Sequence, residues 1–185
     1  FRECAPFGKR LISFCSMDPR AGFGSAKALE GILKRYQDLG AKGFGEHKVG
    51  LPFDHPRMML VYEACQALGL PLLFHMDAIR GTDTPGLPGL ARALVRFPEL
   101  PFIGHGPGWW ASIAGGLTDA KQLDGYPTGK VQPGGAMDAL MESFPNIFAD
   151  LSAGSGNNGI TRDLEFGQKF LVRRADRIMF GSDYL

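Results

Sequence analysis

The sequence predicts a parallel α/β fold, and within that class a partial (β/α)8 TIM barrel. Three observations carry this expectation. Apolar strand-like runs alternate with segments whose apolar residues recur at helical spacing. The strand centres repeat at the roughly 30-residue period of a βα unit, the crossover that parallel neighbours need. Three of the runs end in a residue able to bind metal: His75 in LLFHMD, His105 in FIGHG and Asp183 in IMFGSD.

Taken in order, Arg10–Met17 is the first predicted strand. A helix follows, with Leu29, Ile32, Leu33, Tyr36 and Leu39 on one stripe, Ser25 as its cap and Gly40 as its stop. Lys42–Val49 is the second strand. Met58, Val61, Tyr62, Cys65 and Leu68 form the next helical stripe, between Asp54 as cap and Gly69 as stop. Strand Pro71–Asp77 precedes a weaker helix marked by Leu90, Leu94 and Phe97, and strand Pro101–Gly106 follows. Residues 107–133 read as a long, glycine-rich insertion loop carrying Trp109, Trp110 and Tyr126. Loops of this length in a compact domain are usually functional or disordered. Met137, Leu140, Met141 and Phe144 mark a helix, Asn146–Ala153 a strand, Leu164, Phe170 and Leu171 a helix, and Arg177–Asp183 the last strand.

These elements make a single, incomplete domain over residues 1–185. A full barrel takes about 250 residues, so two N-terminal units and the last helix would make up the difference. A doubly wound open sheet is the architectural alternative. The chain has no initiator methionine and stops two residues past Asp183, so it is expected to be a piece of a larger protein.

Composition narrows the function classes. The net charge is +1, from 20 basic and 19 acidic residues, which gives no electrostatic reason to expect nucleic acid or an anionic membrane. No apolar run reaches the roughly 18 residues of a spanning helix, and FRECAPFGKR contains no apolar h-region. Cys4, Cys15 and Cys65 are odd in number and lack CxxC spacing, so the expectation is a reducing, cytoplasmic setting. The expected partner is a small-molecule substrate. Two open strand edges would also favour homo-oligomer formation.

The chemistry is expected at the carboxyl ends of the strands, where parallel α/β folds bind their ligands. Side chains alternate across a strand, so His75 shares a face with Leu73 and Asp77, His105 with Ile103, and Asp183 with Met179 and Gly181. In GFGEHKVG, Glu46 and Lys48 share one face while His47 points the other way; Asp150 and Ser152 share a face in IFADLSAG. Neutral imidazoles with a carboxylate form a zinc- or manganese-type ligand set. Such an ion lowers the pKa of bound water toward about 7. Taken singly, each residue has a plainer reading: a hydrogen-bonded structural histidine, a helix-capping aspartate, an internal Glu46–Lys48 ion pair. Convergence of several βα units on one end of the sheet is what favours a site. Trp109 and Trp110, directly after a strand-end histidine, read either as a binding wall or as packing.

The segments GAKGFGEHKVGLPFDHPR, GLPLLFHMD, FIGHGPG, NIFADLSAG and RIMFGSDYL together resemble the amidohydrolase-related branch (amidohydrolase 2 type) of the metal-dependent hydrolase superfamily. The resemblance implies a (β/α)8 barrel in which this chain supplies about strands three to eight. It implies that His75 is a metal ligand, that Asp183 binds metal and acts as general base, and that His105 binds a second metal or polarises the substrate. A bridging role from the family's fourth strand could fall to Glu46 or Lys48. The family's first-strand HxH pair is absent, since no two of His47, His55, His75 and His105 stand two apart; it is expected upstream of Phe1.

The expectation for function is therefore a metal-dependent hydrolase acting on an amide, lactone or ester. It would use one or two divalent ions, zinc first and manganese second. Asp183 and His105 would be catalytic. His75, Asp183, His105 and Glu46 would be metal ligands, and Lys48, Asp77, Arg80, Trp109 and Trp110 would contact substrate. The alternative within the family is non-oxidative decarboxylation of an aromatic acid, with the tryptophans flanking the ring and Arg80 or Lys48 holding the carboxylate. Lesser alternatives are a non-catalytic barrel piece and a nucleotide-binding domain. The latter rests on a literal GxGxxG at Gly154–Gly159.

Overall fold

A computed structural model describes residues 3–8, 10–21 and 24–183; Tyr184 and Leu185, which end the RIMFGSDYL run, lie outside the described residues. Six parallel strands form one sheet in chain order: β1 (Phe14–Cys15), β2 (Gly43–His47), β3 (Leu72–His75), β4 (Phe102–His105), β5 (Ile147–Asp150) and β6 (Ile178–Met179). Each strand pairs with the next one in sequence, as successive βα units of a barrel do. Phe14 of β1 and Met179 of β6 line one shared cavity, so the sheet curls its two edges toward a common interior. This is the partial barrel expected.

The helices are α1 (Ala26–Asp38), α2 (Pro56–Leu68), α3 (Pro88–Arg96), α4 (Pro107–Ala111), α5 (Ala136–Ser143), α6 (Ala153–Thr161) and α7 (Leu164–Arg173). None among the described residues is long and apolar enough to cross a membrane. Ser25 caps α1, its side chain accepting from the Ala28 amide at 3.2 Å. Gly69 ends α2 in the left-handed conformation, φ 63°, where a Cβ would be strained. The expected cap of α2, Asp54, is displaced by one residue. Pro56 fixes the first helical position, so the residue before it caps, and His55 Nδ1 accepts from the Arg57 amide at 3.2 Å. Asp54 instead pairs with Arg92.

Alternate residues of each strand meet different surroundings. Leu72, Phe74, Phe102, Ile147 and Ala149 face the helices and are fully buried. Phe74 meets Phe53 and Trp109 edge-on, with ring centres 4.9 and 5.7 Å apart, and Tyr62 of α2 meets Phe102 at 5.2 Å. Leu73, Ile103 and Phe148 face the interior and are only partly buried.

Two expectations are corrected. Residues 107–133 are not one structureless insertion, because α4 begins at Pro107 and a 3-10 turn runs over Ala120–Leu123, capped by Asp119. The GxGxxG run does not precede a helix but forms α6 itself. Its glycines are there for packing. A Cβ on Gly159 would lie 2.6 Å from the Trp110 ring, and one on Gly156 would lie 2.5 Å from the Leu151 carbonyl oxygen. A phosphate loop presents amides ahead of its helix, and this segment has no such turn.

Candidate metal centre

β3 and β4 pair so that His75 lies directly opposite His105, at the carboxyl ends of both strands. The two rings are 5.6 Å apart. β2 adds Glu46 from the next position in the sheet. Its Oε1 lies 2.7 Å from His75 Nδ1 and 3.7 Å from His105 Nε2. The β2–β3 ladder slips register between Phe44 and His47. Across that slip Glu46 turns inward, while His47 turns outward to place its Nε2 3.1 Å from Met58 Sδ.

Ligand atoms of Glu46, His75 and His105 all lie within 4.8 Å of one another. With metal–ligand bonds of about 2.0–2.2 Å, two ligands of one ion sit at most about 4.4 Å apart. The donors lie close enough together that side-chain rotation could gather them on a single divalent ion. Two imidazoles and one carboxylate suit zinc or manganese and leave coordination positions open, as a catalytic site requires.

Each imidazole has a further carboxylate on its outer side. His75 Nε2 lies 2.9 Å from Asp77 Oδ2, and His105 Nδ1 lies 2.9 Å from Asp150 Oδ2. Outer partners of this kind orient metal-binding histidines.

The charges of the site support one another. The hydrogen bond from His75 is the main cause holding the Glu46 carboxyl down to about 2, against its burial, with help from His105 and Lys48. Burial disfavours a charged His105, but the Asp150 hydrogen bond and the charges of Glu46, Asp150 and Asp183 outweigh it and raise its pKa. Burial would raise Asp77, yet the Ile79 and Arg80 amides and His75 bring it below the ordinary range. Asp150 is lowered likewise, by His105 and Ser152 against its burial. At neutral pH all three carboxyl groups are ionised.

Beside the cluster lies a cavity of about 340 Å³. Its apolar lining comes from Phe14, Leu73, Ile103, Met179 and Phe180. Its polar lining comes from Glu46, His105, Asp150, Ser152 and Asp183.

The sequence-predicted residues distribute as follows. Asp183 lines the cavity with Met179, Phe180 and Gly181, but it stands beyond the end of β6 on the exposed rim, outside the three-ligand cluster, so strand alternation does not extend to it. Lys48 Nζ sits 3.5 Å from Glu46 Oε1. Arg80 Nε lies 3.2 Å from Asp77 Oδ2. Asp77 is corrected as a substrate contact, because His75, Arg80 and the Ile79 and Arg80 amides occupy its two oxygens. Trp109 and Trp110 are corrected too. Both are fully buried, because α4 starts at Pro107 and turns them back over the helix side of the sheet. Trp109 covers Gly104, where a Cβ would meet its ring at 2.5 Å, and Trp110 Nε1 donates to the Asp150 carbonyl at 3.0 Å. Sequence reasoning assigned no role to the Asp150–Ser152 pair, although their shared face was visible, nor to Phe14 and Phe180.

Residues 2–185 match the sequence model of the family described as Amidohydrolase. The chain belongs to the amidohydrolase-related family of the metal-dependent hydrolase superfamily. Among solved structures, this amidohydrolase-family chain is similar to 2,6-dihydroxybenzoate decarboxylase complexed with 2,6-dihydroxybenzoate. The identity is 19% and the TM-score 0.50, covering 99% of this chain and 63% of that one. The same figures hold for 2,6-dihydroxybenzoate decarboxylase from Rhizobium. A dihydroxybenzoic acid decarboxylase from Polaromonas sp. JS666, with bound manganese and the inhibitor 2-nitroresorcinol, gives 18% identity and a TM-score of 0.51, over 99% of this chain and 61% of that one. The chain thus spans less than two thirds of the length of each. Comparison with curated proteins gives no match.

Proposed function

We propose that this chain carries part of the active site of a metal-dependent, non-oxidative decarboxylase of a hydroxylated aromatic acid. The observation that carries the reading is the apolar cavity meeting the Glu46–His75–His105 cluster. Phe14, Leu73, Ile103, Met179 and Phe180 offer a ring-sized apolar wall beside a cation-binding set of donors. The structural similarity to dihydroxybenzoate decarboxylases supports this chemistry over the amide, lactone or ester hydrolysis that the family name first suggests.

Glu46, His75 and His105 would hold the ion. Zinc suits the donors, and the manganese of the Polaromonas enzyme makes that metal the second candidate. A divalent ion there would supply a Lewis acid for the substrate's carboxylate and adjacent hydroxyl oxygens. The apolar wall would orient the ring and exclude water. Lys48, beside Glu46, and Arg80, beside Asp77, are the cations we assign to drawing in an anionic substrate. The reaction breaks the bond between ring carbon and carboxylate, releases CO₂ and fills the ring carbon with one proton, with no oxidant. Asp183, which lines the cavity at its rim, is the group we assign to passing that proton.

The test is to supply the intact protein with zinc or manganese and 2,6-dihydroxybenzoate, and to measure CO₂ and resorcinol together. The expected result is equimolar release of both, abolished in His75→Ala along with bound metal. Turnover of amides, lactones or esters without CO₂ would replace this reading with the hydrolase. Failure of the wild type to bind either metal would remove both.

A further inference from the structure

The two histidines of the cluster face Glu46 through opposite nitrogens, His75 through Nδ1 and His105 through Nε2. A presented nitrogen binds a cation only if its lone pair is free, so something must hold the His105 proton on Nδ1. We propose that Asp150, braced by Ser152, is a positioning residue that fixes His105 in the Nδ1–H tautomer. The use of that tautomer rests on the metal-site reading above; its existence does not.

The argument is one of donors and acceptors. An ionised carboxylate can only accept, and Asp150 Oδ2 stands 2.9 Å from His105 Nδ1. A bare Nδ1 would set lone pair against lone pair, so Nδ1 carries the hydrogen. Ser152 Oγ donates to the same Oδ2 and, with its hydrogen spent there, turns a lone pair toward Nδ1 at 3.1 Å. Both groups facing Nδ1 therefore accept from it.

Two further contacts hold Asp150 in place. The Ser152 amide donates to its Oδ1 at 3.3 Å, and the buried Trp110 indole donates to its carbonyl at 3.0 Å. Gly181 leaves the room the pair needs, since a Cβ there would lie 2.9 Å from Asp150 Oδ1 and 3.0 Å from Ser152 Cβ. The glycine of the FGSD run thus serves the neighbouring strand.

Long-range ¹H–¹⁵N correlation on the intact, metal-free protein labelled at histidine, at alkaline pH where the imidazoles are neutral, reads the tautomer directly. The expected wild-type result is a protonated Nδ1 and a bare Nε2 on His105. In Asp150→Asn the amide can turn its NH₂ to the ring, so a mixture of tautomers is expected, with divalent-metal affinity lower by about 10- to 100-fold. The His75 signals, set by Glu46 and Asp77 rather than by Asp150, should stay unchanged and report that the fold is intact. Gly181→Ala should shift His105 in the same direction by crowding Asp150. A dominant Nε2–H tautomer in wild type would overturn the proposal without any variant. So would a pure Nδ1–H tautomer that survives Asp150→Asn. Failure of the decarboxylase assay would leave these signals unmoved, so the two readings fail separately.

Discussion

The two faces of this sheet differ although they are built from alternate residues of the same strands. On the helix side, Leu72, Phe74, Phe102 and Ile147 are sealed against α2, α4 and their neighbours. On the interior side, Leu73, Ile103 and Phe148 are only partly covered, and the polar groups of the candidate site lie in phase with them. Tight packing is concentrated on one face and the candidate site on the other. A step of one residue along a strand crosses between them, as Glu46 and His47 do. Substitutions on the two faces should therefore separate, one set costing stability and the other costing ligand binding.

The largest separation is expected at Trp109. Its ring is fully buried, edge-on to Phe74 and flat against the space over Gly104. Trp109→Ala should lower the unfolding free energy by about 3–5 kcal/mol, the range for emptying a large aromatic site, as measured by chemical denaturation. A loss below about 1 kcal/mol would mean that the helix-side layer is not the stabilising one.

Histidines on the two faces should respond to pH with opposite signs. His47 is buried on the helix side, and burial lowers its pKa from 6.5 to about 4. The unfolded chain takes up that proton below about 6.5, the folded chain only below about 4. The contribution of His47 is thus complete above about 6.5 and is lost as pH falls toward 4, by on the order of 3 kcal/mol. His105 lies among carboxylates and its pKa is raised. Its contribution is complete below the unfolded value and is lost as pH rises through the raised one. In denaturation of the metal-free protein against pH, His47→Leu should flatten the loss between about 6.5 and 4 and leave the alkaline side unchanged. An acid limb identical to wild type would show that His47 titrates normally.

The contrast between faces also explains what the sequence made legible. His75 and His105 stood out because each ends a short apolar strand, and period-two alternation alone assigns them to the inner face. Glu46 and His47 face opposite ways, as their adjacent positions in the strand expect, with the register slip beside them. What stayed hidden depends on long-range packing. Adjacent tryptophans after a histidine look alike whether they line a mouth or cover a sheet. Only the start of α4 at Pro107 turns them outward. The glycines at 154, 156 and 159 look like a phosphate loop until Tyr126, Leu151 and Trp110 are seen to lie against them. The Asp150–His105 hydrogen bond joins residues 45 apart in sequence, and no local pattern marks it. Asp183 was legible as a cavity residue, but its place on the rim follows from how early β6 ends.

The smallest expected effect on stability is the most informative about function. Ile103 precedes His105 by two residues on the same inner face, lines the cavity and is partly exposed to it. Truncating it removes fewer buried contacts than truncating a helix-side residue, because open cavity rather than packed side chains lies on one flank. Ile103→Ala should therefore cost about 1 kcal/mol or less in denaturation, well under the typical core range of 2–5 kcal/mol. The same change removes apolar wall beside the cluster, so KM for an aromatic acid should rise several-fold while bound metal stays at the wild-type level. If Ile103→Ala instead destabilised the protein as much as Trp109→Ala, the interior face would be a closed core, and the cavity could not hold the ring of a substrate.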